Sequence, residues 1–148
     1  MLFMSLPNKE DHSDTWSELI TNQDIRYFLE KINYFADSCI KEMKYVSGSY
    51  SEDGTALYAA NDIRDLYILF HSISSCCQCQ SFEVKFSKIH KLILEPYKED
   101  QDSVIYDTTL IKKDHLFYWF DYKEEDIYNF SPKGTAVIAE KVSWRILT

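Results

Sequence analysis

The sequence predicts an α+β domain: a mostly antiparallel β-sheet, curled or split into two layers, with one N-terminal amphipathic helix packed on it. Three observations lead there. Aromatic residues make up 16% of the chain, as eleven Tyr, nine Phe and three Trp, and such side chains favour sheet surfaces. Strand-like apolar patterns recur from about residue 39 onward, joined by short loops without a helix between each pair, which implies antiparallel neighbours. The clearest helical period falls in one stretch, near residue 25.

The elements follow in order. Residues 1–15 read as a polar lead-in. Thr21 or Asn22 caps the helix, and Asp24 in its first turn complements the helix dipole. Ile25, Phe28, Leu29 and Ile32 recur at i, i+3, i+4 and i+7, and the helix is expected to end near Tyr34 or Phe35. Residues 39–50 read as a first strand, leading into the turn-rich Ser51-Glu52-Asp53-Gly54. Leu66 to Phe70 is apolar on both faces and predicts a central strand. Phe82, Val84 and Phe86 alternate with Glu83 and Lys85, and Ile89 to Leu94 continues until Pro96. Segments 104–111 and 116–120 flank a hairpin loop at Lys112-Lys113-Asp114-His115. Glu124-Glu125-Asp126 reads as a short acidic helix or loop, and Ser131-Pro132-Lys133-Gly134 as a turn. Ile138, Val142, Trp144 and Ile146 share one parity, giving the last strand a buried face. Six or seven strands are expected in all.

A chain of 148 residues is the usual size of one domain, so 1–148 reads as a single domain. It can bury roughly 68–70% of its unfolded surface and needs no disulfide or metal to fold. The formal charge of -8 repels phosphate backbones and argues against nucleic acid as a ligand. It would equally steer a basic protein in, although such a charge also serves plain solubility. The apolar start Met1-Leu2-Phe3-Met4 is too short for a signal-peptide core. No apolar run reaches the roughly 20 residues of a membrane helix. A cytoplasmic protein with no membrane partner is the expectation.

The cysteines look most like a motif. Cys76-Cys77 and Cys79 are compact, His71 precedes them, and thiolate with imidazole suits zinc. The cluster lacks the second half that a structural zinc site usually presents, so a loop with free thiols is the plainer account. No phosphate-binding glycine loop, nucleophile elbow or paired-histidine metal motif is present. The Asp114-His115 pair is better explained as turn chemistry than as a catalytic dyad. No cofactor and no enzymatic activity are expected. The densest aromatic run, Phe117 to Tyr122, is followed directly by acidic residues. Aromatics among carboxylates suit a protein interface, where Tyr and Trp anchor and charge sets the approach rate. Core packing of a two-layer fold is the competing account.

Phe35-Ala36-Asp37-Ser38-Cys39-Ile40-Lys41-Glu42 and Val46-Ser47-Gly48-Ser49-Tyr50 resemble a family of small uncharacterised bacterial proteins, mainly of Bacillus-like organisms. Their pattern at the first segment is Phe-His-Asp-Ser-x-apolar-x-Glu. Further resemblance lies at Leu92, Leu94 and Pro96, at Asp107-Thr108-Thr109-Leu110, at Lys113-Asp114 with Leu116 and Tyr118-Trp119, and at Trp144-Arg145. It covers nearly the whole chain from about residue 20. The family is similar in style to immunity proteins that neutralise toxins. Ala36 stands where the family commonly has His, so any chemistry of that His is absent from this chain. Asp37 and Ser38 suit a turn between helix and first strand.

The reading is therefore a non-enzymatic protein-binding domain, an immunity-type inhibitor of a basic toxin. Its contact residues are expected to be Trp119, Asp121, Tyr122, Glu124, Glu125 and Asp126. The alternative is a small zinc- or thiol-dependent protein using Cys76, Cys77, Cys79 and His71.

Overall fold

The computed structural model describes residues 15–73, 81–131 and 133–147. These form a mostly antiparallel sheet with one α-helix. In chain order the elements are β1 (Ser17–Glu18), α1 (Asn22–Lys31), β2 (Ser38–Val46), β3 (Tyr50–Glu52), β4 (Ala56–Tyr58), β5 (Asp65–Ser72), β6 (Ser81–Ile93), β7 (Thr109–Lys113), β8 (Leu116–Phe120) and β9 (Ala136–Leu147). The main sheet has the order β2-β5-β6-β9-β8-β7, with β1 also on β9, and every pair is antiparallel. β3 and β4 form a separate two-stranded hairpin.

β9 organises the sheet. One edge pairs with β6 along its whole length, from Ala136↔Ile93 to Leu147↔Ser81. The other edge is shared, with β8 taking Ala136 to Ala139 and β1 taking Ser143 and Trp144. The sheet is not closed, yet it curls strongly. Trp119 on β8 and Phe70 on β5 have ring centroids 5.9 Å apart. Three strand spacings of about 4.8 Å would separate those strands in a flat sheet. Across the opening, Ile105 forms an isolated bridge with Ser38, the first residue of the edge strand β2.

The curl has a visible origin. On β6 the buried positions run Phe82, Val84, Phe86 and then Ile89; on β9 they run Ala139 and then Val142 and Trp144. Both strands change parity around Lys88, whose φ is 58°, and the register slips between Ile89 and Lys91. Such bulges bend and twist a sheet. They also correct the single parity expected for β9. Val142 and Trp144 face the main core, whereas Ile138 packs with a second cluster of Tyr118, Phe120, Ile127 and Ala136.

The helix starts where local chemistry places it. Thr21 Oγ1 accepts the Asp24 N–H at 3.1 Å, and Asp24 Oδ2 accepts the N–H groups of Thr21 and Ile20 at 2.9 Å each. This is a capping box extended by one residue. Phe28 is buried against Phe82 and Trp144 of the sheet. The helix ends at Lys31, earlier than the expected Tyr34 or Phe35, because Asn33, Tyr34 and Phe35 all take positive φ (57°, 57° and 64°). This left-handed turn drives the Phe35 ring into the core, against Phe28, Phe70, Phe82 and Trp119. Asp37 (φ 60°) and Ser38 complete the corner, with Ser38 Oγ donating to Phe35 O at 2.5 Å.

Three further expectations are corrected. The strand expected over 39–50 ends at Val46, since Gly48 (φ 112°) breaks it before the separate hairpin begins. The strand expected from Val104 begins only at Thr109, and Lys112 and Lys113 belong to it. The loop between β7 and β8 is Asp114-His115 alone, both with positive φ (54° and 71°), as a two-residue hairpin turn requires.

Candidate functional site

The expected contact residues leave β8 and enter the loop behind it, and the structure divides them. Trp119 is 0% exposed, with its ring against Phe35, Phe70 and Phe86. It is a core residue, and the expectation of a surface contact is corrected. The run Phe117 to Phe120 is buried on both faces because one face meets the main core and the other the second cluster.

Asp121 is likewise buried, at 7% exposure. Its Oδ1 accepts the Thr135 N–H at 2.9 Å, its own N–H donates to Thr135 O at 3.0 Å, and Tyr97 Oη donates to Oδ2 at 3.3 Å. The carboxylate thus staples the end of β8 to the start of β9. Burial raises its pKa above the usual range, opposed by the Thr135 and Tyr97 hydrogen bonds. Burial, together with the Asp121 charge, pushes Tyr97 up to about 12. A cleft of about 300 Å³ opens beside this pair, lined by Tyr97, Lys98, Asp121, Tyr122, Lys133 and Gly134 among others. Gly134 is there for room: a Cβ would overlap the Asp121 carboxylate and stand 2.9 Å from Tyr122 Cδ1.

Tyr122 is half-buried, its ring 5.4 Å from Phe120. Thr109 Oγ1 donates to its carbonyl at 3.3 Å and accepts the Glu124 N–H at 2.9 Å, which ties this loop to β7. Burial raises the pKa of the Tyr122 hydroxyl, opposed by the Lys133 backbone. Glu124 is half-buried and turns inward on its own loop, with Oε2 accepting the Asp126 N–H at 3.1 Å. Asp126 in turn accepts the N–H groups of Tyr128 and Asn129 at 3.3 and 3.2 Å. Glu125 and Asp126 are exposed. The neighbouring exposed Tyr128 donates to Asp114 Oδ2 at 3.1 Å across to the β7–β8 turn. The surface of the expected site is therefore Glu125, Asp126, Tyr128 and Asp114, with Tyr122 and Glu124 beneath and Trp119 and Asp121 inside.

Cys76, Cys77 and Cys79 lie outside the described residues. Cys39 is half-buried and directly opposite His71 across β2 and β5. Among the described residues no group of three or more His, Cys, Asp or Glu is arranged to hold a metal.

Two features were not singled out from sequence. On the open face of the sheet, Trp16 lies under the Arg145 guanidinium at 4.3 Å, Arg145 donates twice to Glu83 Oε1 (3.0 and 2.8 Å), and Lys85 reaches the Trp16 and Tyr67 rings. These cations are matched by Glu83 and Asp65. The second feature is the β3–β4 hairpin, whose Tyr50, Leu57 and Tyr58 are all exposed. Its sequence signal is Asp53-Gly54, a hairpin-turn dipeptide flanked by Tyr50 and Tyr58.

Comparison with protein-family models, with curated proteins and with solved structures gave no match. No helix among the described residues is long and apolar enough to cross a membrane.

Proposed function

We propose that this chain is a non-enzymatic protein-binding domain that takes a basic partner, in the specific form of an immunity-type inhibitor of a basic toxin. One observation carries the reading. Eight of the eleven tyrosines are exposed, on a chain of charge -8. Tyrosine is a preferred interface anchor because it offers a large rigid ring and a hydroxyl at small entropic cost. Acidic surface supplies steering toward a basic protein. The loop of Glu125, Asp126 and Tyr128 is one place where the two features meet.

The test is capture of a partner from lysate at low and moderate salt, followed by association kinetics with the purified partner. Glu125→Arg should slow association several-fold at low salt and leave dissociation nearly unchanged. Association unchanged by this reversal would remove the loop from the interface. A captured partner that is not basic, or whose binding ignores salt, would overturn the reading. The immunity form requires further that the captured partner be toxic and that this chain neutralise it.

A further inference from the structure

We propose that the β3–β4 hairpin is a rigid docking arm for a basic protein partner, offering it the stacked Tyr50 and Tyr58 on one side of the ribbon and Leu57 on the other. This rests on the binding reading above and assigns its surface. All six strand residues of the hairpin are exposed, and Leu57 is 83% exposed. Tyr50 and Tyr58 are directly opposed across the ladder and stacked, with centroids 4.8 Å apart and planes 18° apart. Leu57 pairs with Ser51 and so points to the other side of the two-stranded ribbon. An apolar recess of about 290 Å³ lies among Ser49, Tyr50, Ser51, Leu57, Tyr58 and Ala59.

An isolated two-stranded hairpin is marginal in water, so its base must be held. Here it is. Ser49 Oγ donates to Ala60 O at 2.7 Å and accepts the Ala60 N–H at 2.9 Å. Ser47 O accepts the N–H groups of Ile63 and Arg64 at 3.3 and 3.1 Å. Arg64 donates to Asn61 O at 2.5 Å and to Ile89 O at 3.0 Å, and Lys88 Nζ donates to Asp62 O. The arm is thereby pinned to the bulge of β6. Gly48 allows the close approach, since a Cβ there would lie 2.5 Å from Asp62 Oδ1. At the tip, Asp53 and Gly54 take φ of 54° and 70° and Thr55 N–H bonds Glu52 O at 3.1 Å. Rings held this way lose little freedom on binding, which favours affinity.

Charge selects the occupant. Residues 47–63 contain Glu52, Asp53 and Asp62 and no Lys, Arg or His. Three exposed apolar side chains on an arm whose own charges are all anionic fit a cationic surface; the cations Arg64 and Lys88 lie at its base, on the carbonyls of Asn61, Asp62 and Ile89. A second copy of the chain would bring a charge of -8 against -8, and nucleic acid would be repelled in the same way.

The test is heteronuclear NMR with a short helical peptide of Lys and Leu as the basic, apolar probe. The expected result is shift changes centred on 49–59, with affinity reduced about tenfold or more by Tyr50→Ser, Leu57→Ser and Tyr58→Ser together. Should that variant lose its hairpin, Glu52→Lys with Asp53→Lys keeps the apolar contacts and should weaken binding alone. Shift changes centred on Glu124 to Tyr128 would overturn the arm while leaving the binding reading standing. No shift changes at low salt would overturn both. A dimer in sedimentation that the triple variant abolishes would also overturn the proposal, since the occupant would be a second copy.

Discussion

The ring of Trp119 lies 5.9 Å from that of Phe70 although two strands separate the strands that carry them. The contact exists only because the sheet curls around its own aromatic interior. Trp119→Ala should therefore cost about 3–5 kcal/mol of stability, as large aromatic truncations in packed cores do. Urea unfolding would read this. A loss under about 1 kcal/mol would return Trp119 to the surface role that its sequence context suggested.

Asp121 gives a pH prediction. Its pKa is raised in the folded state, burial being the largest cause, so the fold holds this proton more tightly than the unfolded chain does. The resulting stability is complete below the unfolded value of 3.8 and is lost as pH rises through the folded value. Asp121→Asn keeps an acceptor for the Thr135 N–H and carries no charge. It should melt above the parent at neutral pH, and the gap should close in acid. Thermal melts across that range decide it; a gap that widens in acid refutes the assignment.

Gly134→Ala tests the same staple from the other side. The new methyl would collide with the Asp121 carboxylate. Destabilisation of about 1–3 kcal/mol is expected from the overpacking. A neutral result would mean that Asp121 moves freely.

Tyr34 sits exposed in the left-handed turn that ends the helix. A non-glycine residue there carries roughly 1–2 kcal/mol of strain. Tyr34→Gly should recover about 0.5–1 kcal/mol after the entropy that glycine adds to the unfolded chain. Equilibrium unfolding that shows a loss instead would place favourable contacts on the Tyr34 ring.

Thr21→Ala removes the hydroxyl that accepts the Asp24 N–H and should cost about 1 kcal/mol. The partner carboxylate has its pKa lowered, chiefly by the Thr21 and Ile20 backbone donors. Its contribution is thus present above 3.8 and fades as pH falls through the lower folded value. Hydrogen exchange of the first helical turn at two pH values would show both effects.

What could be read from sequence was local or periodic. The cap at Thr21 and Asp24 joins groups three residues apart, and Phe82, Val84 and Phe86 alternate plainly, so antiparallel sheet was legible. The strand at 116–120 was legible as well, but the burial of Phe117 to Phe120 stayed open, because an unbroken aromatic run does not say which face is inside, and here both are. Glu124 and Asp126 looked like free surface charge but spend acceptors on their own loop. The parity change at Lys88 leaves no compositional mark, since lysine does not announce a positive φ. The β3–β4 hairpin went unread because its three-residue strands are too short for a period to register.

The position of β9 constrains how the molecule is made. All other strands precede it in the chain, yet it is the shared neighbour of β6, β8 and β1. During synthesis the ribbon β2-β5-β6 and the hairpin β7-β8 must wait for it as separate pieces, each showing an unpaired edge. At about 5–20 residues per second that interval lasts several seconds after β6 emerges. Such an edge is open to pairing with another nascent chain. The exposed Lys91 near the far end of β6 places charge beside that waiting edge, where it discourages wrong partners until the correct strand arrives.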